Sequence, residues 1–211
     1  MRIGIVTDIH DEVEKLSLAL AALRSDAVDA IVSLGDVTDL FGAWDRADEV
    51  ASLLAGAGVA GVWGNHDYAL CRNVSDKTRA RVKAATLNYM ATVRPRLELG
   101  GCHFSHVEPW LDAEEPENLW AFEGRPEDSD RLRRSFDAVP HRAAFIGHFH
   151  CWLAATEDGR LEWDGSGPLT FEGERRYLVV VAPIFRGAFA VIDTDRWVLE
   201  PSQLPTGSHP S

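Results

Sequence analysis

Short apolar segments alternate with amphipathic segments along the first half of the chain. Continuous apolar runs are typical of buried strands, whereas apolar residues spaced three and four apart, as at Leu16, Leu20 and Leu23, are typical of a helix. The predicted elements are a strand at Arg2–Thr7, a helix at Glu12–Arg24, a strand at Ala30–Leu34, a helix at Trp44–Leu54, a strand at Val59–Trp63 and a helix at Lys77–Val93. This order predicts parallel strands covered by helices.

The second half of the chain is richer in strands. A loop with short helical turns is predicted at Pro109–Gly124, and a helix at Glu127–Phe136. Strands are predicted at Leu97–Leu99, Cys102–Ser105, Ala143–Ile146, Trp152–Ala155, Leu161–Trp163, Tyr177–Ala182, Ala188–Ile192 and Trp197–Leu199. We therefore expect one layered α/β domain over residues 1–200, in which antiparallel strands complete a sheet begun as β-α-β. Residues 201–211 are expected to form a frayed tail.

Polar motifs follow five of the predicted strands and contain five of the eight histidines. They are Asp8-x-His10, Gly35-Asp36-x-x-Asp39, Gly64-Asn65-His66-Asp67, Ser105-His106 and Gly147-His148-x-His150. Each motif alone is typical of an ordinary turn or helix start. Because the carboxyl ends of strands line a common crevice in an open α/β sheet, their joint occurrence indicates one shared site.

The composition is that of a globular protein with an acidic surface. Hydrophobic residues make up 45% of the 211 residues, and the formal net charge is −12. This charge disfavours a nucleic-acid polymer as partner, because it repels phosphates. The sequence contains no apolar run long enough for a membrane helix, no signal-peptide pattern at its start, and only three widely spaced cysteines. We therefore expect a cytoplasmic protein that does not bind membranes.

The polar motifs combine carboxylate, imidazole and amide oxygen donors. This set suits Mn, Fe or Zn, and disfavours Ca or a soft thiolate site. Two ions bridged by one carboxylate stand about 3.5–4 Å apart and lower the pKa of a shared water towards about 7. Their positive charge would also hold a phosphoryl group on an otherwise acidic protein. The motifs therefore predict a two-metal centre that hydrolyses a small phosphorylated substrate through an activated water.

The ordered motifs resemble those of the calcineurin-like metallophosphoesterase superfamily over residues 3–150. The resemblance implies a four-layer αββα sandwich with mixed sheets and phosphoesterase activity. The metal ligands it implies are Asp8, His10 and His150 for one ion, Asn65, His106 and His148 for the other, and Asp36 as the bridge. It also implies that His66 protonates the leaving group and that Asp39 orients and stabilises His66.

Two histidines compete for the ligand position of the Ser105-His106 motif. His106 ends the strand and begins His106-Val107-Glu108-Pro109, which resembles the family's histidine-then-proline loop. His103 lies inside the strand, where an alternating side chain is more often packed or solvated than a ligand. We therefore expect His106 to be the ligand.

Two departures from the family pattern narrow the range of substrates to be expected. Leu40 follows Asp39, whereas the protein Ser/Thr phosphatase branch carries a phosphate-gripping arginine there, so protein phosphatase activity is a minor alternative. The region Val181–Gly187 lacks the Pro-Gly-Ser stretch found in small phosphodiesterases of the superfamily, which leaves substrate contacts there open.

Several side chains are candidates for binding the substrate. Arg72 and Arg186 are the main candidates for contacting a phosphate, and Arg125, Arg175 and Arg176 are further candidates. Trp110, Trp120 and Phe122 are expected to form an aromatic wall over the cleft or to pack in a core or dimer contact. The acidic loop that holds these aromatic residues argues against a polyanionic substrate that lies along the loop.

Three classes of function remain open at the sequence level. The leading one is hydrolysis of a small phosphate monoester or diester, with a dinucleoside polyphosphate hydrolase as the alternative. A non-catalytic metal-binding scaffold would be expected to have lost ligands or the acid histidine, and all those positions are filled. A single-zinc hydrolase is disfavoured, because seven candidate ligands exceed the three that a catalytic zinc commonly takes.

Overall fold

Two six-stranded sheets form the centre of the computed structural model, which describes residues 1–39 and 46–205. The strands are β1 (Arg2–Val6), β2 (Ala30–Ser33), β3 (Ala60–Gly61), β4 (Arg96–Leu99), β5 (Cys102–Ser105), β6 (Ala143–Ile146), β7 (Leu153–Thr156), β8 (Gly159–Arg160), β9 (Leu169–Thr170), β10 (Tyr177–Val180), β11 (Ala188–Asp193) and β12 (Val198–Gln203). The helices are α1 (Val13–Ser25), α2 (Ala47–Gly56), α3 (Tyr68–Cys71), α4 (Asp76–Arg79), α5 (Ala84–Met90), α6 (Pro116–Leu119) and α7 (Ser129–Ala138), with a 3-10 turn at Ile184–Arg186.

Both sheets are mixed. The first has the strand order β3-β2-β1-β11-β12-β9, in which β1, β2 and β3 are parallel and the other three strands pair antiparallel. The second has the order β4-β5-β6-β10-β7-β8, in which β5, β6 and β10 are parallel. In each sheet, the carboxyl ends of the parallel strands therefore lie at one edge.

One apolar core lies between the two sheets. Ile3 and Ile5 of β1 are fully buried there with Phe104 of β5 and Phe145 of β6. Helices α1 and α2 bury a second apolar cluster against the first sheet. On the far side, Leu132 and other residues of α7 pack on the second sheet. The layers run helix, sheet, sheet, helix, which confirms the predicted four-layer arrangement.

The long helix predicted at Lys77–Val93 is wrong, because this segment forms the two short helices α4 and α5. Lys83 has an extended backbone, with φ −69° and ψ 154°, which separates them. Val82, just before this break, is buried in the core beside the first sheet. Tertiary packing of Val82 has overridden the helical preference of the segment.

Three other boundaries differ from the sequence prediction. The strand predicted at Leu161–Trp163 is instead β8, just before it, and the Trp163 ring packs against Trp152. The helix predicted from Trp44 begins at Ala47 in the described residues, and Trp44 itself lies outside them. Strand β12 extends to Gln203, so residues 201–203 belong to the sheet rather than to the predicted tail.

Among residues 1–39 and 46–205, no helix has the length and hydropathy needed to cross a bilayer.

We expect Phe145→Ala to lower the free energy of unfolding by about 3–5 kcal/mol, because it opens a cavity between the sheets. The Phe145 ring is fully buried and stacks on Phe104 with centroids 5.5 Å apart. Denaturant unfolding measures the loss. The control is Leu18→Ala on α1, where the side chain is 57% exposed and truncation should change stability by no more than about 0.5 kcal/mol. Equal effects of the two changes would contradict this view of the core.

Candidate metal centre

The five polar motifs meet where the two sheets bring together the carboxyl ends of their strands. Asp8 follows β1, Asp36 follows β2 and Asn65 follows β3, all in the first sheet. His106 follows β5 and His148 follows β6 in the second sheet. Backbone hydrogen bonds join the loops, as where the N–H of Gly147 donates to the carbonyl oxygen of His106. The seven side chains expected to bind metal lie in one cluster.

One group of donors lies around Asp8. His150 Nε2 is 3.2 Å from Asp8 Oδ1 and 3.5 Å from His10 Nε2. His10 Nε2 is in turn 3.8 Å from Asp36 Oδ2. Each of these four residues offers one ligand atom within 4.8 Å of the others, close enough for a single cation.

A second group lies around Asn65. His106 Nε2 is 3.0 Å and His148 Nδ1 is 3.1 Å from Asn65 Oδ1, and the two nitrogens are 3.2 Å apart. Ligands held about 2.1 Å from one ion at right angles are about 3 Å from one another, so this triangle has the size of a coordination face. His106 Nε2 is also 3.4 Å from Asp36 Oδ2. Asp36 therefore belongs to both groups.

The backbone at these motifs is strained. Five of the seven candidate ligands have positive φ angles, where residues other than glycine are uncommon: Asp8 (48°), His10 (48°), Asp36 (50°), His148 (67°) and His150 (54°). Such conformations cost of order 1–3 kcal/mol each and cluster at functional sites. The loops turn sharply after each strand, and this turn brings the side chains back over the strand ends.

Two glycines allow the loops to approach so closely. A Cβ at Gly64 would lie 2.1 Å from Asp36 Oδ1. A Cβ at Gly147 would lie 2.2 Å from Thr7 Oγ1 and 2.8 Å from Asp8 Oδ2. No side chain fits at either position without displacing a candidate ligand.

Asp67 fastens two of the loops together, a role that the sequence did not reveal. Its position before α3 is typical of a helix cap, but its side chain makes no capping hydrogen bond to α3. Its buried carboxylate instead accepts the backbone N–H groups of Val37, Thr38 and Gly64, at 3.0–3.2 Å. This carboxylate holds the Asp36 loop against the Asn65 loop. Its position directly after Gly64-Asn65-His66 was the available signal.

Buried negative charge dominates the electrostatics of the site. Burial acts against a charged His106, but the charge of Asp36 outweighs it and raises the pKa of His106 to about 9. Burial likewise opposes ionisation of Asp36, yet His106 holds the pKa of that carboxyl well below its usual range. Burial and then the charge of His106 lower the pKa of His148 to about 3, which keeps that imidazole neutral. The centre thus holds an ionised carboxylate that requires nearby positive charge.

His66 and Asp39 stand beside this centre. The His66 ring packs edge-on to His10 with centroids 4.7 Å apart, and its Nδ1 is 3.8 Å from Asp39 Oδ1. The backbone N–H of His66 donates to Asp36 Oδ1 at 3.0 Å. These contacts place the imidazole next to the ligands and within reach of an orienting carboxylate. Leu40, which stands where the protein Ser/Thr phosphatase branch has an arginine, lies outside the described residues.

Two exposed aromatic rings border the centre. Trp120 stacks on His66 with centroids 5.7 Å apart, and Phe122 stacks on His148 with centroids 4.5 Å apart. The third candidate, Trp110, lies instead beneath the Arg134 guanidinium, 3.3 Å from the ring centroid. The expected aromatic wall is therefore formed by Trp120 and Phe122.

The five candidate arginines differ in the residues that they contact. Arg186 Nη1 donates to the carbonyl oxygen of His150 at 3.3 Å, at the edge of the centre. Arg72 pairs with Glu114, Nη2 to Oε1 3.4 Å. The remaining three pair with surface carboxylates: Arg125 with Glu127, Arg175 with Asp158, and Arg176 with Glu157.

The donor set and its geometry fit two metal ions. Three carboxylate or amide residues and four histidines form two groups with the spacing of ligand atoms, and both groups share one ionised carboxylate. Such mixed oxygen and imidazole sets suit Mn, Fe and Zn.

Residues 1–177 match the calcineurin-like phosphoesterase superfamily domain. The chain belongs to this superfamily. It is accordingly a hydrolase that acts on phosphoester bonds, in a family that is typically dependent on two metal ions.

Other similarities agree with this membership. An uncharacterized protein of Methanocaldococcus jannaschii is 24% identical over 193 residues, which are 84% of this chain and 73% of that protein. The crystal structure of a metallophosphoesterase from Sphaerobacter thermophilus superposes with a TM-score of 0.74 at 24% identity, over 97% of this chain and 88% of that one. An archaeal phosphodiesterase superposes with a TM-score of 0.55 at 14% identity, over 97% and 100%. At these identities the two structures show a shared fold.

We expect Gly147→Ala in this phosphoesterase to weaken metal binding by about 10–100-fold, as loss of groups supporting the ligands commonly does. The new methyl group would displace Thr7, whose hydroxyl donates to Asp8 Oδ2 at 2.6 Å. Elemental analysis after dialysis against limiting metal measures the change. The control is Gly167→Ala, where a Cβ meets no atom within 4 Å. Unchanged metal affinity in Gly147→Ala would contradict the close approach described above.

Proposed function

We propose that this protein is a dinuclear-metal phosphoesterase that hydrolyses a small phosphate monoester or diester. The observation that carries the proposal is the pair of donor groups sharing Asp36, one around Asp8 and one around Asn65. A single-metal enzyme would need only one of these groups. Since every donor is in place, a scaffold that has lost its chemistry fits the site less well.

The chain would hold one ion through Asp8, His10 and His150, the other through Asn65, His106 and His148, and both through Asp36. Mn, Fe and Zn are the candidate ions, because the set mixes hard oxygen with imidazole ligands. When bound, two such ions lower the pKa of a water towards about 7 and neutralise charge that develops on a phosphoryl group. Asn65 and His148 would then be fixed by coordination instead of by the hydrogen bond between them.

His66 is the residue that we propose to protonate the leaving-group oxygen. Its ring lies beside His10 at the mouth of the centre, and the side chain is 12% exposed, so it can meet a substrate from solvent. Asp39 near Nδ1 would hold a proton on that nitrogen, leave Nε2 to take up and release the proton given to the leaving group, and stabilise the charged imidazole. Asp39 therefore acts through His66, as a positioning residue.

The side chains that surround the centre favour a small substrate. Arg186 lies beside His150 and is the arginine placed best to contact a phosphate oxygen, whereas Arg72 would first have to leave Glu114. The loop after His106 carries five carboxylates that would repel an extended polyanion: Asp112, Glu114, Glu115, Glu117 and Glu123. A nucleic-acid polymer is therefore not proposed as a substrate.

Metal counting and a phosphoester panel on the purified protein test the proposed function. We expect two ions per chain at the centre and Mn-stimulated hydrolysis of p-nitrophenyl phosphate or its bis ester, abolished by a chelator and restored by metal. Asp36→Asn should lose nearly all activity, because both donor groups lose their shared carboxylate. Two bound ions without turnover of either ester would favour the non-catalytic scaffold.

We expect His66→Ala to keep its metal but to lose about 10²–10⁴-fold in turnover for esters with basic leaving groups, which need a proton most. Esters with acidic leaving groups should lose much less. The dependence of kcat on leaving-group pKa measures this difference, and Asp39→Asn should give a smaller change of the same kind. If His66→Ala released metal, the role proposed for His66 would be wrong.

A second candidate, a substrate with a flat aromatic group, is favoured by the two rings at the mouth. Trp120 is 39% exposed and Phe122 is 60% exposed, although both are large apolar side chains. Exposed rings beside a reaction centre can stack on a planar ring of the substrate. A dinucleoside polyphosphate, which carries such rings, fits this candidate.

We expect Trp120→Ala to raise KM for aryl phosphates by about 2–10-fold, which corresponds to the 0.5–1.5 kcal/mol typical of a ring pair. Alkyl phosphates should be unaffected, and Trp120→Phe should restore most of the loss. Steady-state kinetics on both ester types measure the effect. Equal losses for aryl and alkyl esters would show that Trp120 serves only to position His66.

A further inference from the structure

His103 is a buried histidine that the phosphoesterase centre does not use. The residue is 1% exposed, and neither ring nitrogen has a hydrogen-bond partner among the residues that the structure describes. Leaving a buried polar group without a partner costs about 1–3 kcal/mol, so such groups in native proteins commonly mark an ion or a functional role. Its position inside the strand predicted a packed or solvated side chain rather than a ligand.

Two further donors lie next to this ring. Glu98 on β4 is directly opposite His103 on β5 in the antiparallel register, so both side chains are on the same face of the sheet. His141, just before β6, has its ring centroid 5.8 Å from that of His103 and its Nε2 3.5 Å from Glu98 Oε2. One ligand atom from each residue lies within 4.8 Å of the other two.

This cluster is separate from the phosphoesterase centre. Cys102 and Phe104 point into the core between the two sheets, so His103, between them on β5, points to the opposite face. His106 lies beyond the end of β5, in the loop that reaches the centre. The two histidines of this strand segment therefore belong to different clusters.

We propose that Glu98, His103 and His141 bind a Zn²⁺ ion, at a site distinct from the dinuclear centre. Two imidazoles and one carboxylate are a ligand set that zinc takes with a fourth position open to water. The side chain of Glu98 is 64% exposed and that of His141 is 15% exposed, so an ion can reach them from solvent. The ring of His103 is buried and would supply the third ligand from inside the protein. An ion there would supply the partner that His103 lacks.

The charge state of the buried ring agrees with this role. Burial, then the charges of His141 and Arg96, lower the pKa of His103 to about 4. The neutral imidazole, which is the form that binds a metal, is therefore present at pH 7. Arg96 lies two residues before Glu98 on β4 and on the same face, which accounts for the effect of its charge on the pKa of His103.

The site would join three segments that are distant along the chain. β4 is an edge strand whose pairing runs only to β5, and His141 belongs to the connection that enters β6. An ion held by all three would fasten this edge of the second sheet. Zinc binding should therefore raise the thermal midpoint of the folded protein, as any ligand of the native state does.

Zinc stoichiometry of the full chain tests the proposal. With excess Zn²⁺ followed by gel filtration, wild type should carry one more zinc per chain than His141→Ala or His103→Leu, and Glu98→Gln should bind this zinc more weakly. The matched control is Glu162→Gln, an exposed glutamate that follows β8 at the opposite edge of the second sheet, which should keep the wild-type count. Mn-supported phosphoesterase activity should be the same in all five proteins, since none of the changes touches the dinuclear centre.

A second measurement separates this site from the dinuclear centre. Asp8→Asn should lose zinc from the centre yet keep a zinc-dependent rise in thermal midpoint, and adding His141→Ala should remove that rise. If His103→Leu fails to fold, His141→Ala and Glu98→Gln still test the proposal, because both replace partly exposed side chains and should leave the fold intact. Equal zinc counts in wild type and His141→Ala, with no difference in zinc-dependent midpoint, would overturn the proposal.

Discussion

The structure depends on negative charge that is buried where its central strands end. Asp8 and Asp36 are 0% and 2% exposed, and Asp67 below them is fully buried as well. Taking a carboxylate out of water costs several kcal/mol unless positive charge or hydrogen-bond donors replace the water. Backbone N–H groups meet only part of this need for Asp67, because burial and the charge of Asp36 still raise its pKa to about 7. His106 meets part of the need for Asp36. What remains is satisfied most directly by cations, which links the fold to metal chemistry.

The same centre explains why the surrounding backbone departs from favourable geometry. The positive φ angles at Asp8, Asp36 and His148 would be costly in an ordinary loop. They persist because well-packed sheets on either side hold both ends of each loop, and because Gly64 and Gly147 leave room for the ligands. The stability that the core between the sheets provides thus offsets the cost of the strained backbone at the site. Coordination of metal by these loops would repay part of that strain.

Specificity and chemistry are carried by different parts of the molecule. The ligands follow rigid strands, whereas Trp120 and Phe122 lie on the long connection between β5 and α7. That connection is anchored at its start by Glu108, which is fully buried and paired with Arg131 of α7, Nε to Oε1 2.6 Å. A loop anchored in this way can vary in its exposed residues without moving the ligands.

Much of the fold could be predicted from the sequence because its signals are local. Apolar runs located most strands, and the motif after each strand identified the side chains that the structure brings together. The prediction failed where tertiary contacts decide, as at Val82, whose burial divides a predicted helix, and at residues 201–203, which join the sheet through pairing with β11.

The sequence by itself determined the donor chemistry of this protein, since residue types and their positions after strands require no coordinates. Only the tertiary structure decided which donors lie close together and which do not. Asp67 emerged as the link between two loops, and His103 was separated from His106 by the face of β5 on which it lies. The physical reason is that strand pairing and side-chain direction are set by packing between distant segments, and no local pattern of residues records that packing.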